Sequence, residues 1–90
     1  MLENRIENYV VRAIKKRGGL IIKMASPSMD SLPDRQIIMP GGKTYWRELK
    51  RPGKEPTKKQ WYVIDLLNEL GQDAAYIDTI EKAKEFIKSI

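Results

Sequence analysis

Residues 31–60, SLPDRQIIMPGGKTYWRELKRPGKEPTKKQ, gather the carboxylates of Asp34 and Glu48, the Lys50 ammonium and a basic segment into one short order of chain. Asp34 precedes the apolar run Ile37-Ile38-Met39. Pro40-Gly41-Gly42-Lys43 then supplies turn chemistry, and Thr44 to Lys50 returns as a second β-prone run. Two such runs joined by a Gly-rich turn predict a β-hairpin, with strands at Gln36–Met39 and Thr44–Lys50. Side chains alternate along a strand, so Trp46, Glu48 and Lys50 share one face and Tyr45, Arg47 and Leu49 the other. Glu48 and Lys50 then lie roughly 7 Å apart at Cα.

Outward from the hairpin the chain alternates helix and strand. Leu2, Ile6, Tyr9, Val10, Ala13 and Ile14 recur at helical spacing before Gly18-Gly19 stops the helix, and Leu20 to Ala25 reads as a first strand. Ser26 to Leu32 is a loop by composition and carries a further carboxylate, Asp30, read as a turn residue. Thr57-Lys58-Lys59-Gln60 has the form of a capping box for a helix bearing Trp61, Ile64, Leu67 and Leu70 and ending at Gly71. Ala74 to Ile77 is a last strand, and Asp78-Thr79-Ile80-Glu81 opens a final helix with Ile80, Ala83, Ile87 and Ile90 inward. The order αβββαβα, with a helix linking the last two strands, predicts a mixed α/β sheet whose fourth strand is reached by a right-handed crossover.

Composition narrows the chemistry. Ninety residues allow one core, so residues 1–90 are expected to form a single domain. The chain is 41% hydrophobic and 32% charged, globular values, with Pro and Gly at punctuation points. It contains neither cysteine nor histidine, which excludes disulfides, a Cys/His zinc site and catalysis by imidazole or thiolate. Any metal must be held by oxygen, which suits Mg²⁺ or Mn²⁺. No apolar run reaches the ~20 residues of a membrane span, and the N-terminus lacks the order of a signal peptide, so no membrane association and a cytoplasmic location are expected. A net charge of +5 favours polyanions without identifying one. The densest positive segment is Lys50, Arg51, Lys54, Lys58 and Lys59, of which the last four, with Arg35, are candidate phosphate contacts.

The text PDR, an apolar strand, PGGK, an aromatic strand, ELKRPGK, and a glutamine ten residues after the lysine resembles the VRR-NUC family of the PD-(D/E)XK nuclease superfamily, in its stand-alone, phage-type form. The similarity runs from IENYV in the first helix to the last helix. It implies a restriction-endonuclease-like core and a divalent-metal-dependent endonuclease acting on DNA, with branched substrates such as a Holliday junction as the expected preference. By position, Asp34 and Glu48 become metal ligands together with the Leu49 carbonyl. Lys50 orients water or steadies charge, Gln60 joins the active site, and a first-helix glutamate, Glu7 rather than Glu3, reaches the metal. Gln60 is thereby given two roles, cap and site group, expected to exclude one another. A cytoplasmic location becomes the host cell's if the protein is phage-encoded, and a homodimer is implied by similar junction nucleases, with Trp46, Trp61, Tyr62 and Met29 as candidate interface groups. Two departures stand out. Ser31 occupies a position where glycine is expected, and Arg47 one that is usually apolar, which predicts an exposed strand end or an Arg47 that meets a partner or nucleic acid. The alternative to an enzyme is a non-catalytic basic nucleic-acid-binding module, for which the basic segment alone would suffice.

Overall fold

The computed structural model describes residues 2–26 and 28–90, with side chains from residue 5 onward. Helix α1 (Leu2–Lys16) leads into strands β1 (Leu20–Lys23), β2 (Arg35–Ile38) and β3 (Thr44–Leu49). Helix α2 (Lys58–Glu69), strand β4 (Asp73–Ile77) and helix α3 (Ile80–Ser89) complete the fold. The four strands form one sheet in the order β1-β2-β3-β4. The first three are antiparallel, and β4 runs parallel to β3 with Glu48 beside Tyr76 and Leu49 beside Ile77. The mixed α/β sheet and the element order agree with expectation, and strand ends differ by one or two residues.

One sheet face is closed by α1 and α3. Ile6, Val10 and Ile14, spaced four apart on α1, are at most 1% exposed and pack with Ile37, Tyr45, Ile77, Ala83, Phe86 and Ile87. Phe86 lies outside the expected stripe of α3, yet it is buried and meets Tyr45 edge-on at 5.6 Å between ring centroids. Helix α2 lies on the opposite face against β4. Its N-cap is the expected box, with Thr57 Oγ1 accepting from the Gln60 N–H and Gln60 Oε1 accepting from the Thr57 N–H. Pairing places Leu20, Ile22, Ile38 and Trp46 together on the α2 side of the sheet, and Leu20 is 55% exposed there.

Arg47 overturns both options the sequence offered. It is neither at an exposed strand end nor free to meet a partner. It is buried on the α3 side, with its guanidinium 4.2 Å from the Phe86 ring centroid, and it donates to the carbonyls of Trp46 and Asp73. Asp73 neutralises it at 2.9 Å. A planar cation can cover an aromatic face in this way, which explains its presence at an ordinarily apolar position. Ser31 adopts φ 68°, the sole positive-φ non-glycine conformation among the described residues, so the left-handed turn survives without glycine.

Candidate active site

Asp34 and Glu48 are brought together where β2 and β3 begin to part. Antiparallel pairing ends at Arg35 opposite Arg47, and beyond it side chains take over the backbone groups. The Asp34 N–H donates to Glu48 Oε1 at 3.1 Å, and the Leu49 N–H donates to Asp34 Oδ1 at 3.0 Å. Each carboxylate is thus anchored on the strand that carries the other. On the far side of Asp34 its carbonyl accepts from the Met24 N–H, so the residue is held between two strands.

Lys50 and Gln60 converge on the second oxygen of Glu48. Lys50 Nζ lies 3.4 Å from Glu48 Oε2 and Gln60 Nε2 donates to that atom at 3.2 Å. Gln60 therefore makes the cap contact and the Glu48 contact at once, two contacts expected to exclude one another. Its amide oxygen closes the helix cap while its amide nitrogen binds the carboxylate, because a primary amide has an acceptor and donors pointing in different directions.

Both carboxyls are harder to ionise than usual. Burial raises Asp34, and nearby Glu7 adds to that, while the Leu49 N–H and Arg35 oppose it. Burial also raises Glu48, the neighbouring Asp34 charge pushes the same way, and Lys50 opposes. Two acids that resist ionisation side by side form a site that gains from an added cation.

Arg35 departs from its expected place among the phosphate contacts. It is 5% exposed, pairs with Asp34 Oδ2 at 3.3 Å, donates to the Asp34 carbonyl and reaches the Glu7 carboxylate through its other amino group. A buried guanidinium with three acceptors is a fixed internal charge and cannot also meet a phosphate from outside. Glu7 accordingly faces Arg35, and among the described residues no three acidic side chains gather closely enough to hold one ion. The side chain of Glu3, the other candidate on α1, lies outside those described. Arg51, Lys54, Lys58 and Lys59 are exposed, in the segment joining Lys50 to the start of α2. Among the described residues Lys59 makes only an exposed pair with Asp30 at 3.5 Å. Sequence pattern alone gives no sign of the Glu7–Arg35–Asp34 chain, because it depends on how α1 crosses the sheet.

A hairpin that presents an aspartate, then a glutamate and a lysine two residues apart, on a mixed sheet flanked by helices defines the PD-(D/E)XK class of fold. No family model matches the chain. A protein of Acyrthosiphon pisum secondary endosymbiont phage 1, named "Putative nuclease p44", is 35% identical over 77 residues, covering 86% of this chain and 83% of that protein. A solved structure described as "VRR_NUC domain" superposes with a TM-score of 0.90 at 20% identity, over 98% of this chain and 96% of that one. The chain belongs to the family of that phage protein, named a putative nuclease, and it has the fold of the VRR_NUC domain.

Proposed function

We propose that the protein is a divalent-metal-dependent endonuclease that hydrolyses phosphodiester bonds of DNA, selecting branched forms such as the Holliday junction. The observation that carries this is the convergence of Asp34, Glu48, Lys50 and Gln60, each within hydrogen-bond or ion-pair distance of the Asp34–Glu48 unit. The donor set fits a hard ion, being two raised carboxylates with no nitrogen or sulfur ligand. Asp34, Glu48 and the Leu49 carbonyl would hold Mg²⁺ or Mn²⁺, leaving the other positions to water and phosphate. Glu7 would act beside them at the edge of the site. Such an ion neutralises charge on the phosphate oxygens and lowers the pKa of bound water.

The chain's own residues do the remaining work. Lys50, held by Glu48, places an ammonium where negative charge develops or where attacking water must be oriented. Gln60 fixes the Glu48 carboxylate, leaving its other amide proton for water or phosphate. Exposed Arg51, Lys54, Lys58 and Lys59 bind backbone phosphates and set register without reading sequence. The rival reading, a non-catalytic DNA-binding module, would place two carboxylates beside bound phosphate with no cation between them, which is unfavourable.

The test is a panel of single-stranded, duplex, flap and four-way DNA incubated with Mg²⁺, Mn²⁺ or chelator. Cleavage should require the ion and favour branched substrates. It should be abolished in folded Asp34→Asn and Glu48→Gln variants, and undiminished cutting in chelator or by both variants would overturn the assignment.

A further inference from the structure

Beside the carboxylates, on the side of β4, stands a set of groups that the proposed hydrolysis does not use. Tyr76 is the register partner of Glu48 on the parallel strand, so the two side chains leave the same sheet face about 4.8 Å apart. Trp61 follows Gln60 directly in the first turn of α2 and meets Tyr76 edge-on, with centroids 5.3 Å apart and planes at 80°. Lys82 lies over the Tyr76 ring at 4.3 Å, and its ammonium is tethered 2.8 Å from Asp78 Oδ1. Asp78 is buried, and among the described residues its Oδ1 has no well-aligned hydrogen-bond donor, so the Lys82 ammonium is its counter-charge.

These contacts brace one side of the Tyr76–Trp61 pair, yet the indole remains 37% exposed. Lys58 and Lys59, both exposed, occupy the same first turn of α2. A half-open aromatic braced by Tyr76 thus stands next in the chain to Gln60 and in the same helical turn as two exposed lysines. We propose that Trp61 is a stacking platform for an unpaired nucleobase flanking the cleaved phosphate, with Tyr76 and the Lys82–Asp78 pair holding the indole in place. The ligand class is single-stranded DNA, since a paired base keeps both faces within its own stack. A base–indole contact tolerates any sequence and supplements the phosphate contacts. It would favour DNA in which a branch or fraying frees a nucleotide.

The inference rests on the nucleic-acid reading above, and the experiment separates the two. In the Trp46→Phe protein, where the Trp46–Gln72 side-chain bond at 3.0 Å is lost, emission reports Trp61 alone. Oligothymidylate of about ten nucleotides and a blunt duplex are titrated in chelator, which prevents cleavage. The oligonucleotide should quench the emission. In the otherwise native chain, Trp61→Ala should weaken oligonucleotide binding roughly tenfold, with duplex affinity changed less than about twofold and Trp61→Phe retaining most of the binding. Duplex binding together with unquenched Trp61, or equal weakening of both DNAs, overturns the platform and leaves the nuclease reading standing. Binding of neither DNA overturns the platform, and failure to bind a four-way junction as well overturns both. If Trp61→Ala does not fold, the emission titration and Trp61→Phe decide.

Discussion

Ser31 pays for its place in the turn before Asp34, since a non-glycine residue at φ 68° carries a steric cost of about 1–2 kcal/mol. Glycine would relieve that cost and lose part of the gain to a freer unfolded chain, so Ser31→Gly should raise stability by about 0.5–1 kcal/mol. Thermal or urea unfolding measures it, and a destabilised variant would mean that the serine side chain holds the turn. Arg35 bears on the centre more directly. Removing the Glu7 charge leaves a buried guanidinium short of a partner, and because Glu7 is partly exposed the loss should be about 1–3 kcal/mol for Glu7→Gln. Adding Arg35→Met should restore most of it, as a double-mutant cycle would record. Calorimetric titration with Mn²⁺ tests whether Glu7 acts through Arg35, in which case Glu7→Gln changes metal affinity far less than Glu48→Gln does. The raised carboxyls give a pH dependence with a definite sign. Their folded pKa values exceed the unfolded ones, so the folded state holds protons more tightly, and these two groups cost stability as pH rises through that window. A divalent ion competes with those protons. Metal at 100-fold excess over its Kd should add about 2.7 kcal/mol of stability at neutral pH. Melting curves should show that gain fading on acidification before the ordinary carboxylate range is reached.

At the scale of elements, the segment from Lys50 to the first turn of α2 connects two functions. Its end beside Glu48 is fixed by the Gln60 amide, and its middle carries the exposed cations. Neutralising Lys54, Lys58 and Lys59 together should reduce the log–log salt slope of DNA binding by roughly one unit for each phosphate no longer neutralised. Turnover at saturating DNA should persist, and an unchanged slope would make these lysines solvated surface only. The hairpin, both helix-capping signals and the crossover strand are legible from residues 34–81, because turn glycines, cap residues and periodicity act locally. The grouping of Asp34 with Glu48 is legible through the resemblance their spacing carries and not through periodicity. Contacts set by helix placement are not. Arg47 finds Phe86 and Asp73 across a crossover, and Arg35 finds Glu7 on a helix 28 residues earlier. Gln60 escapes sequence reasoning for another reason, since capping and site binding look like rivals until its two amide atoms are seen to satisfy them separately.

Taken whole, the molecule measures 32 × 31 × 23 Å, less than one helical turn of duplex DNA at about 34–36 Å. We propose a two-fold dimer as the active species, two copies of so small a molecule engaging two arms of a branched substrate. The open end of the sheet, with Leu20, Ile22, Ile38 and Trp46, is the apolar face such a dimer would bury. Sedimentation at micromolar concentration should give twice the 10.4 kDa chain mass, and Leu20→Lys should return it to that of one chain. A monomer that persists when a catalytically inert variant is bound to a four-way junction would defeat the dimer. The spatial order of the strands carries a consequence for how the chain acquires its shape. Because β1-β2-β3-β4 repeats the order of synthesis, every strand meets a neighbour already made and none must insert between two others. Loop closures stay short until α2 carries the chain to β4, so the hairpin holding Asp34 and Glu48 can form early from local contacts. Closing the parallel strand and docking α3 onto α1 then become the late, slow events of folding.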